Sequence, residues 1–464
     1  MKPGINLADK RVLVVGLART GIATALFCAA RRARVTATEV RPEPQLTETA
    51  AQLRAAGVTL ELGGHTESPF MEQDLIVPSP GVPLSLPGLV AARDAGIPIW
   101  SEIELAWRFL RGRLVCITGS NGKTTTTSLV GHILNAARKR VQVAGNIGTP
   151  MISVVDASSD SGITVVEASS FQLESIERFC PDVAVLLNLT PDHLDRHASF
   201  KDYKSAKARM FENQAENDAA ILNADDAEVK QCTPARPRVY WFSRQHRVAC
   251  GCFLMGNEIC FRGEGTDTVL LRREDIPLRG SHNVENVLAA AVAAVLSGVE
   301  PGAIAEGVRT FPGVEHRIEY VARIAGVDYF NDSKATNVDA TLKAIDAFDG
   351  NLLVILGGKD KGSDYTLLRE SLRRRAKIVL LIGAATEKIE AQLERAIPIE
   401  RAGTLARAVE LAARIAKPGD TVLLAPACAS FDQFESYEHR GRAFKALVHG
   451  LETHSIAGAS ARKA

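Results

Sequence analysis

Short apolar runs rich in β-branched residues recur along this chain, separated by longer stretches whose apolar positions repeat at helical spacing. RVLVVG (11–16) has the pattern of a buried strand, TGIATALFCAARRA that of a helix, RVTATEV that of a second strand, and DLIVPSPG (74–81) that of a later one. Such alternation predicts a parallel sheet covered on both faces. A helical stretch at IPIWSEIELAWRFL (97–110) leads into a fresh strand, RLVCITG (113–119), and alternation then continues to about residue 225. From 238 to 273 the pattern changes, and VYWFS, CFLMGNEICFR and TVLLRRED predict short antiparallel strands. SHNVENVLAAAVAAVLSG predicts a helix with Ser281 as its cap and Gly298 near its end. A third segment opens around FPGVEHRIEYV (311–321) and carries three more buried-strand patterns, NLLVILGG, KIVLLIG and TVLLAPA, with amphipathic helices between them. The tail beyond about residue 453, HSIAGASARKA, is small and polar and is expected to fray.

Composition narrows the class. At 464 residues the chain is long enough for about three domains, each with its own core. A hydrophobic share of 46% excludes a mostly disordered chain. Lys and Arg total 55 against 54 Asp and Glu, so the net charge of +1 leaves no electrostatic footprint for nucleic acid or for an anionic membrane. The longest apolar run, VLAAAVAAVL (287–296), is too short to cross a bilayer. The early apolar stretch VLVVGLA reads as a strand entering a turn, not as a secretory signal. Eight scattered cysteines show no zinc spacing, so reduced thiols in a soluble cytoplasmic protein are expected.

Three places carry candidate chemistry. GLARTG (16–21) sits between a strand and a helix, with Glu39 closing the next strand, but Ala18 stands where a dinucleotide fingerprint needs its second glycine. A tight turn in any doubly wound fold explains it equally well. ITGSNGKTTTT (117–127) is more informative: a Gly-rich turn offers backbone N–H groups, and the following helix adds its positive dipole end. Lys123 suits phosphate charge, and the Thr124 hydroxyl suits Mg²⁺. Gly119 and Gly122 enclose only Ser120 and Asn121, a shorter spacing than the common phosphate loop. Glu167, Asp192 and His193 then follow apolar runs, and strand carboxyl ends are where open parallel sheets place ligands. Asp332, Lys334, Lys361 and Ser430 stand at the corresponding positions of the third segment.

These segments together resemble the Mur ligase family over nearly the whole chain, most nearly its D-glutamate-adding branch. The resemblance is carried by SPG (79–81), TGSNGKTT, GNIGTP (145–150), EASSFQLE, TPDHLDRH, HNVEN (282–286), EHRIE (315–319), NDSKATN and PACASFDQF (426–434). It implies an α/β protein of three domains. Residues 1–102 would form a Rossmann-like UDP-sugar domain, and 103–313 a P-loop ATPase-like domain with a small antiparallel β addition. Residues 314–464 would form a Rossmann-like domain that receives the amino acid and closes on ATP. The implied reaction is ATP-dependent addition of D-glutamate to UDP-MurNAc-L-alanine through an acyl phosphate, a cytoplasmic step of peptidoglycan precursor synthesis carried out by a monomer.

By the same resemblance, Gly119, Ser120, Asn121, Gly122, Lys123, Thr124 and Thr125 hold the phosphates of ATP. Thr124 and Glu167 serve one Mg²⁺, and His193 a second. Asn146 orients phosphate or substrate. Lys207 matches a lysine that family members carboxylate with CO₂, which would make it a further metal ligand. Asn283, Asn286, Arg317, Asp332 and Lys334 match nucleotide contacts. Arg19, Thr20, Glu39, Arg41 and Gly81 match the UDP-sugar positions, with Glu39 where an aspartate is expected. Thr336, Lys361, Ser430 and Tyr437 match positions around D-glutamate. A nucleotide-dependent switch remains the competing class, and Ala18 weighs against a dehydrogenase.

Overall fold

The computed structural model describes residues 4–65, 68–146, 148–193, 196–263 and 265–461, with side chains at all of these except 68, 69 and 452–461. Ile147, Leu194 and Asp195 of the motifs above lie outside the described residues. The chain divides into two compact units, one of residues 1–275 with 285–311, the other of 276–284 with 312–464.

The first unit holds two sheets. Strands β1 (Arg11–Val15), β2 (Arg34–Glu39), β3 (Thr59–Leu62) and β4 (Leu75–Pro78) are parallel in the order β3-β2-β1-β4. The second sheet runs through β5 (Arg113–Thr118), β6 (Val141–Gly145), β7 (Ile163–Glu167), β8 (Val183–Leu186), β9 (Ala219–Asn223), β10 (Arg238–Ser243), β11 (Gly251–Met255), β12 (Glu258–Gly263) and β13 (Thr266–Arg272). Its order is β13-β12-β11-β10-β9-β8-β5-β7-β6. One buried cluster, including Val12, Phe27, Trp107, Leu114, Phe179 and Leu222, spans both sheets, which is why they form a single unit. The helix Glu102–Phe109 lies in that cluster with Ile103, Leu105, Ala106 and Trp107 buried.

The antiparallel region differs in part from its sequence pattern. β11, β12 and β13 form an antiparallel meander as expected, but β10 pairs parallel with both β9 and β11. The chain turns back between β10 and β11 without reversing strand direction. Asp225 and Ser243 hold that turn: Ser243 donates to Asp225 at 2.6 Å and accepts the His246 amide at 2.7 Å. Gly251 has φ +121° and lies so close to Trp241 that a Cβ would stand 1.9 Å from its carbonyl oxygen. The meander is thus the continuation of one nine-stranded sheet.

The second unit has one sheet of β14 (Glu319–Ile324), β15 (Val327–Asn331), β16 (Leu352–Gly357), β17 (Ala376–Ile382), β18 (Ile399–Gly403) and β19 (Thr421–Leu424), in the order β14-β15-β19-β16-β17-β18. All pairings are parallel except β14 with β15. Separate apolar clusters cover its two faces, one with Phe330, Val354 and Leu372, the other with Ile355, Val409 and Phe444. Two smaller expectations change. Ser281 is the first residue of the helix Ser281–Leu296, not the residue before it. The last helix, Tyr437–Ala461, continues through most of the tail that was expected to fray, whose alanines favour helix and which contains no proline. Among the described residues no helix is long and apolar enough to cross a membrane.

Candidate active site

In the first unit, β5 ends in the turn Gly119–Gly122, and the helix Lys123–Ala136 starts directly after it. Gly122 has φ +83° in the left-handed region, and a Cβ there would stand 2.3 Å from Asn286 Oδ1. Glycine is required at that position on both counts. Asn286 also accepts a hydrogen bond from Thr126 Oγ1 at 3.3 Å. The turn is braced from below, where Ser120 Oγ donates to the Thr190 carbonyl at 2.9 Å and Asn188 exchanges bonds with the Asn121 backbone at 2.8 and 3.0 Å.

The side chains expected to act on phosphate and metal meet at this turn. Glu167 ends β7, only 2% exposed. Its Oε2 accepts from Thr124 Oγ1 at 2.8 Å and its Oε1 from Asn146 Nδ2 at 2.9 Å. Lys123 Nζ donates to the Gly119 and Ser120 carbonyls at 2.9 and 2.8 Å. Lys207 Nζ donates to the Gly119 carbonyl at 2.9 Å and lies 4.6 Å from the centre of the Tyr203 ring. Lys207 is 2% exposed. Burial, and then the nearby Lys123 charge, push its pKa well below the usual lysine value. Hydroxyl and carboxylate oxygens at a helix N-terminus suit Mg²⁺, so Thr124 and Glu167 fit that ion. His193, at φ +52°, is exposed on the loop after β8, with its ring edge-on to Phe171 at 5.0 Å.

The first sheet gathers its own set at its strand ends. Glu39 Oε2 accepts the Leu17 amide at 2.7 Å and pairs with Arg41 Nη2 at 3.0 Å. Burial opposes ionisation, but Arg41 and the Leu17 and Arg41 amides outweigh it and hold the carboxyl at about 2. The Gly81 carbonyl accepts from Arg196, Arg19 donates to the Gly148 carbonyl, and the Thr20 carbonyl accepts from Thr24.

In the second unit, neighbouring strands β15, β19 and β16 deliver Asp332 to Thr336, Ser430 and Lys361 to one sheet edge. Backbone bonds between Lys359 and Ala429, at 2.8 and 3.1 Å, tie two of those loops together. Asp332 is buried, which raises its carboxyl to about 7 against the pull of Arg317, the Ile318 amide and Lys334. Lys334 Nζ lies 5.1 Å from the Tyr437 ring centre. Ser430 is buried, Lys361 is exposed on its turn, and Asn283 Nδ2 donates to the Arg279 carbonyl at 2.6 Å.

Models of three domain families match the chain: a Mur ligase MurD-like N-terminal domain at 10–101, a Mur ligase middle domain at 117–294, and a Mur ligase glutamate ligase domain at 316–428. The chain belongs to the Mur ligase family. It is 54% identical to the UDP-N-acetylmuramoylalanine–D-glutamate ligase of Acidobacterium capsulatum, over 96% of this chain and 97% of that one. It is 53% identical to the ligase of the same name from Koribacter versatilis, over 96% and 99%. Among solved structures, the UDP-N-acetylmuramate-alanine ligase MurC of Thermotoga maritima superposes with a TM-score of 0.60 at 20% identity, over 96% of this chain and 100% of that one, a likeness of fold.

Glu102 and Arg440 are buried charged residues of this Mur ligase that the sequence pattern does not single out. Glu102, in the helix that precedes β5, is 1% exposed, and its Oε1 accepts the Ile152 amide at 2.6 Å just beyond the GNIGTP turn. Burial raises its carboxyl to about 7 despite the Ile152 amide, the Gln172 side chain and the Met151 amide. A carboxyl raised on folding favours the folded state fully below its ordinary value of 4.5, and this advantage is lost as pH rises through about 7. Glu102→Gln is therefore expected to melt several degrees above wild type near pH 8, with the difference closing towards pH 5. Thermal melts across that range check it, and a pH-independent difference contradicts it.

Proposed function

We propose that this chain is an ATP-dependent carbon–nitrogen ligase that adds D-glutamate to UDP-MurNAc-L-alanine, forming a peptidoglycan precursor, ADP and phosphate. The observation that carries this reading is the convergence of Lys123, Thr124, Asn146, Glu167 and Lys207 on one phosphate-loop turn, in a chain whose full-length relatives are named for that reaction. The site offers cations and oxygen ligands. That suits a reaction whose difficulty is bringing a carboxylate to an anionic phosphate.

The substrate carboxylate oxygen attacks the γ-phosphorus, and the bond to ADP breaks. The D-glutamate nitrogen then attacks the acyl carbon, phosphate leaves, and the amine gives up a proton. Lys123 holds phosphate charge through this sequence, and the loop amides bind phosphate oxygens. Thr124 and Glu167 would hold one Mg²⁺, and His193 with Lys207, once carboxylated, would hold a second; bound there, the ions would supply positive charge to the transferring phosphoryl group. Asn146, already bonded to Glu167, orients phosphate or substrate.

We read Lys207 as carboxylated. CO₂ adds only to a neutral amine, forming the N–C bond and releasing a proton, and burial beside Lys123 favours the neutral amine. In the cytoplasm, and as a monomer, residues 1–102 hold the UDP-sugar through Arg19, Thr20, Glu39, Arg41 and Gly81. Residues 103–313 hold ATP at Gly119 to Thr125, with Asn283 and Asn286. Residues 314–464 supply Arg317, Asp332 and Lys334 to the nucleotide and Thr336, Lys361, Ser430 and Tyr437 to D-glutamate.

Phosphate release is expected to require ATP, UDP-MurNAc-L-alanine and D-glutamate together, and an amino-acid panel at fixed UDP-sugar checks it. Phosphate release indifferent to both carbon substrates favours a nucleotide-dependent switch instead.

A further inference from the structure

Among the described residues Arg440 is the largest side chain that is almost completely buried, at 1% exposure. It sits in the first turn of the helix Tyr437–Ala461, and among the described residues it forms no ion pair. Its donors go to backbone and hydroxyl oxygens. Nε donates to Ser333 Oγ at 3.0 Å and Nη2 to the Ser333 carbonyl at 2.9 Å. Both terminal nitrogens reach the Cys428 carbonyl at 3.2 Å, and Nη1 also reaches the Ala429 carbonyl at 3.4 Å. Burial lowers its pKa only to about 10, so it stays charged at neutral pH.

A buried cation that no carboxylate bonds directly is costly even with Asp432 close enough to favour its charge, and surface arginines on helices are cheap. The partners show where the cost is offset. Ser333 lies between Asp332 and Lys334, on the loop after β15. Cys428 and Ala429 lead directly into Ser430, on the loop after β19. The planar guanidinium is the one side-chain head that can bond both loops at once with fixed angles. Room for it is built in, since a Cβ at Gly358 would meet the Ala429 carbonyl oxygen at 2.3 Å and Arg440 Nη1 at 3.2 Å. Ser333 Oγ in turn donates to the Tyr437 carbonyl at 2.8 Å, which returns the tie to the start of the same helix.

We propose that Arg440 is a positioning residue that locks the nucleotide-contacting loop to the D-glutamate-contacting loop, so that the two subsites are set as one body. The inference rests on the functional reading above. Loss of the guanidinium frees both loops while leaving the UDP-sugar subsite untouched.

The test is steady-state kinetics of Arg440→Met, Arg440→Lys and Ser333→Ala, varying each substrate in turn. In Arg440→Met the KM values for ATP and for D-glutamate are expected to rise together, by at least about tenfold, with the KM for UDP-MurNAc-L-alanine within about twofold of wild type. Arg440→Lys keeps charge but not the fork and restores less than half of the loss on a logarithmic scale. Ser333→Ala shifts the same two constants in the same direction by less. A purely structural role lowers the folded fraction and kcat with every KM unchanged, and that result overturns the proposal. So does a rise confined to one of the two substrates. Should Arg440→Met not fold, Ser333→Ala with unchanged constants is sufficient to reject it. Wild type is assayed alongside: no turnover with D-glutamate overturns the functional reading, and ATP affinity of wild type against Ser333→Ala then decides the role of Arg440 in nucleotide positioning, with equal affinities rejecting it.

Discussion

Lys123→Ala is expected to lower phosphate release by ~10³-fold or more while the thermal transition stays close to that of wild type. The two halves of that expectation have separate causes. In the structure the ammonium donates to the Gly119 and Ser120 carbonyls of its own turn. Lys123 itself is only part-buried, and the Gly119 carbonyl keeps its bond from Lys207 Nζ when Lys123 is removed, so folding loses little. Charge on the transferring phosphoryl group, by contrast, has no equivalent replacement at that point. Lys123→Arg separates charge from shape, because its wider head cannot take the place of a compact ammonium in so tight a turn. Turnover of the alanine variant within about tenfold of wild type would falsify the assignment of the ATP site.

Lys207→Ala is the second large expectation, a fall in turnover of ~10²-fold or more. It carries a signature that an ordinary active-site lysine lacks. Turnover of the wild type is expected to fall when dissolved CO₂ is stripped and to recover on adding bicarbonate, whereas the residual rate of the alanine variant ignores both. Isotopic ¹³C bicarbonate should give a carbamate resonance in wild type that Lys207→Ala loses. The buried amine explains why the reaction would choose this lysine. A solvent-exposed lysine carries its proton at neutral pH and in that form does not attack CO₂. Full turnover by Lys207→Ala at low CO₂ ends the carbamate proposal.

Much of this arrangement is legible before any coordinate. Parallel strands buried on both faces leave continuous apolar runs, so β1, β5, β7, β16 and β19 announce themselves, and the polar residues that follow each must lie at the carboxyl edge of its own sheet. Glu167 and Thr124 could be paired on that ground alone. β18 lacks such a run because Ile399–Gly403 is half exposed at the sheet's border. The direction of β10 is not legible in its pattern because strand identity is local, whereas its pairing depends on Asp225 and Ser243 closing a turn across separate segments. Glu102 and Arg440 were invisible for a related reason. Each occurs among polar neighbours on a helix, SEIEL and EHRG, where a charged side chain is ordinarily solvated. Only the long-range partners, Ile152 for one and Ser333 with Cys428 for the other, reverse that expectation.

The crowding at Gly122 bears on inhibition. A compound that takes its anion contacts from the amides of the Gly119–Gly122 turn engages a stretch where escape by mutation is barred twice. A side chain at 122 would occupy a left-handed backbone position and would also collide with Asn286, so a variant that displaced the drug would displace Asn286 with it. Resistance should therefore arise at positions around the turn, where side chains can change without moving its backbone, and a scaffold confined to the amides leaves the fewest of these within reach.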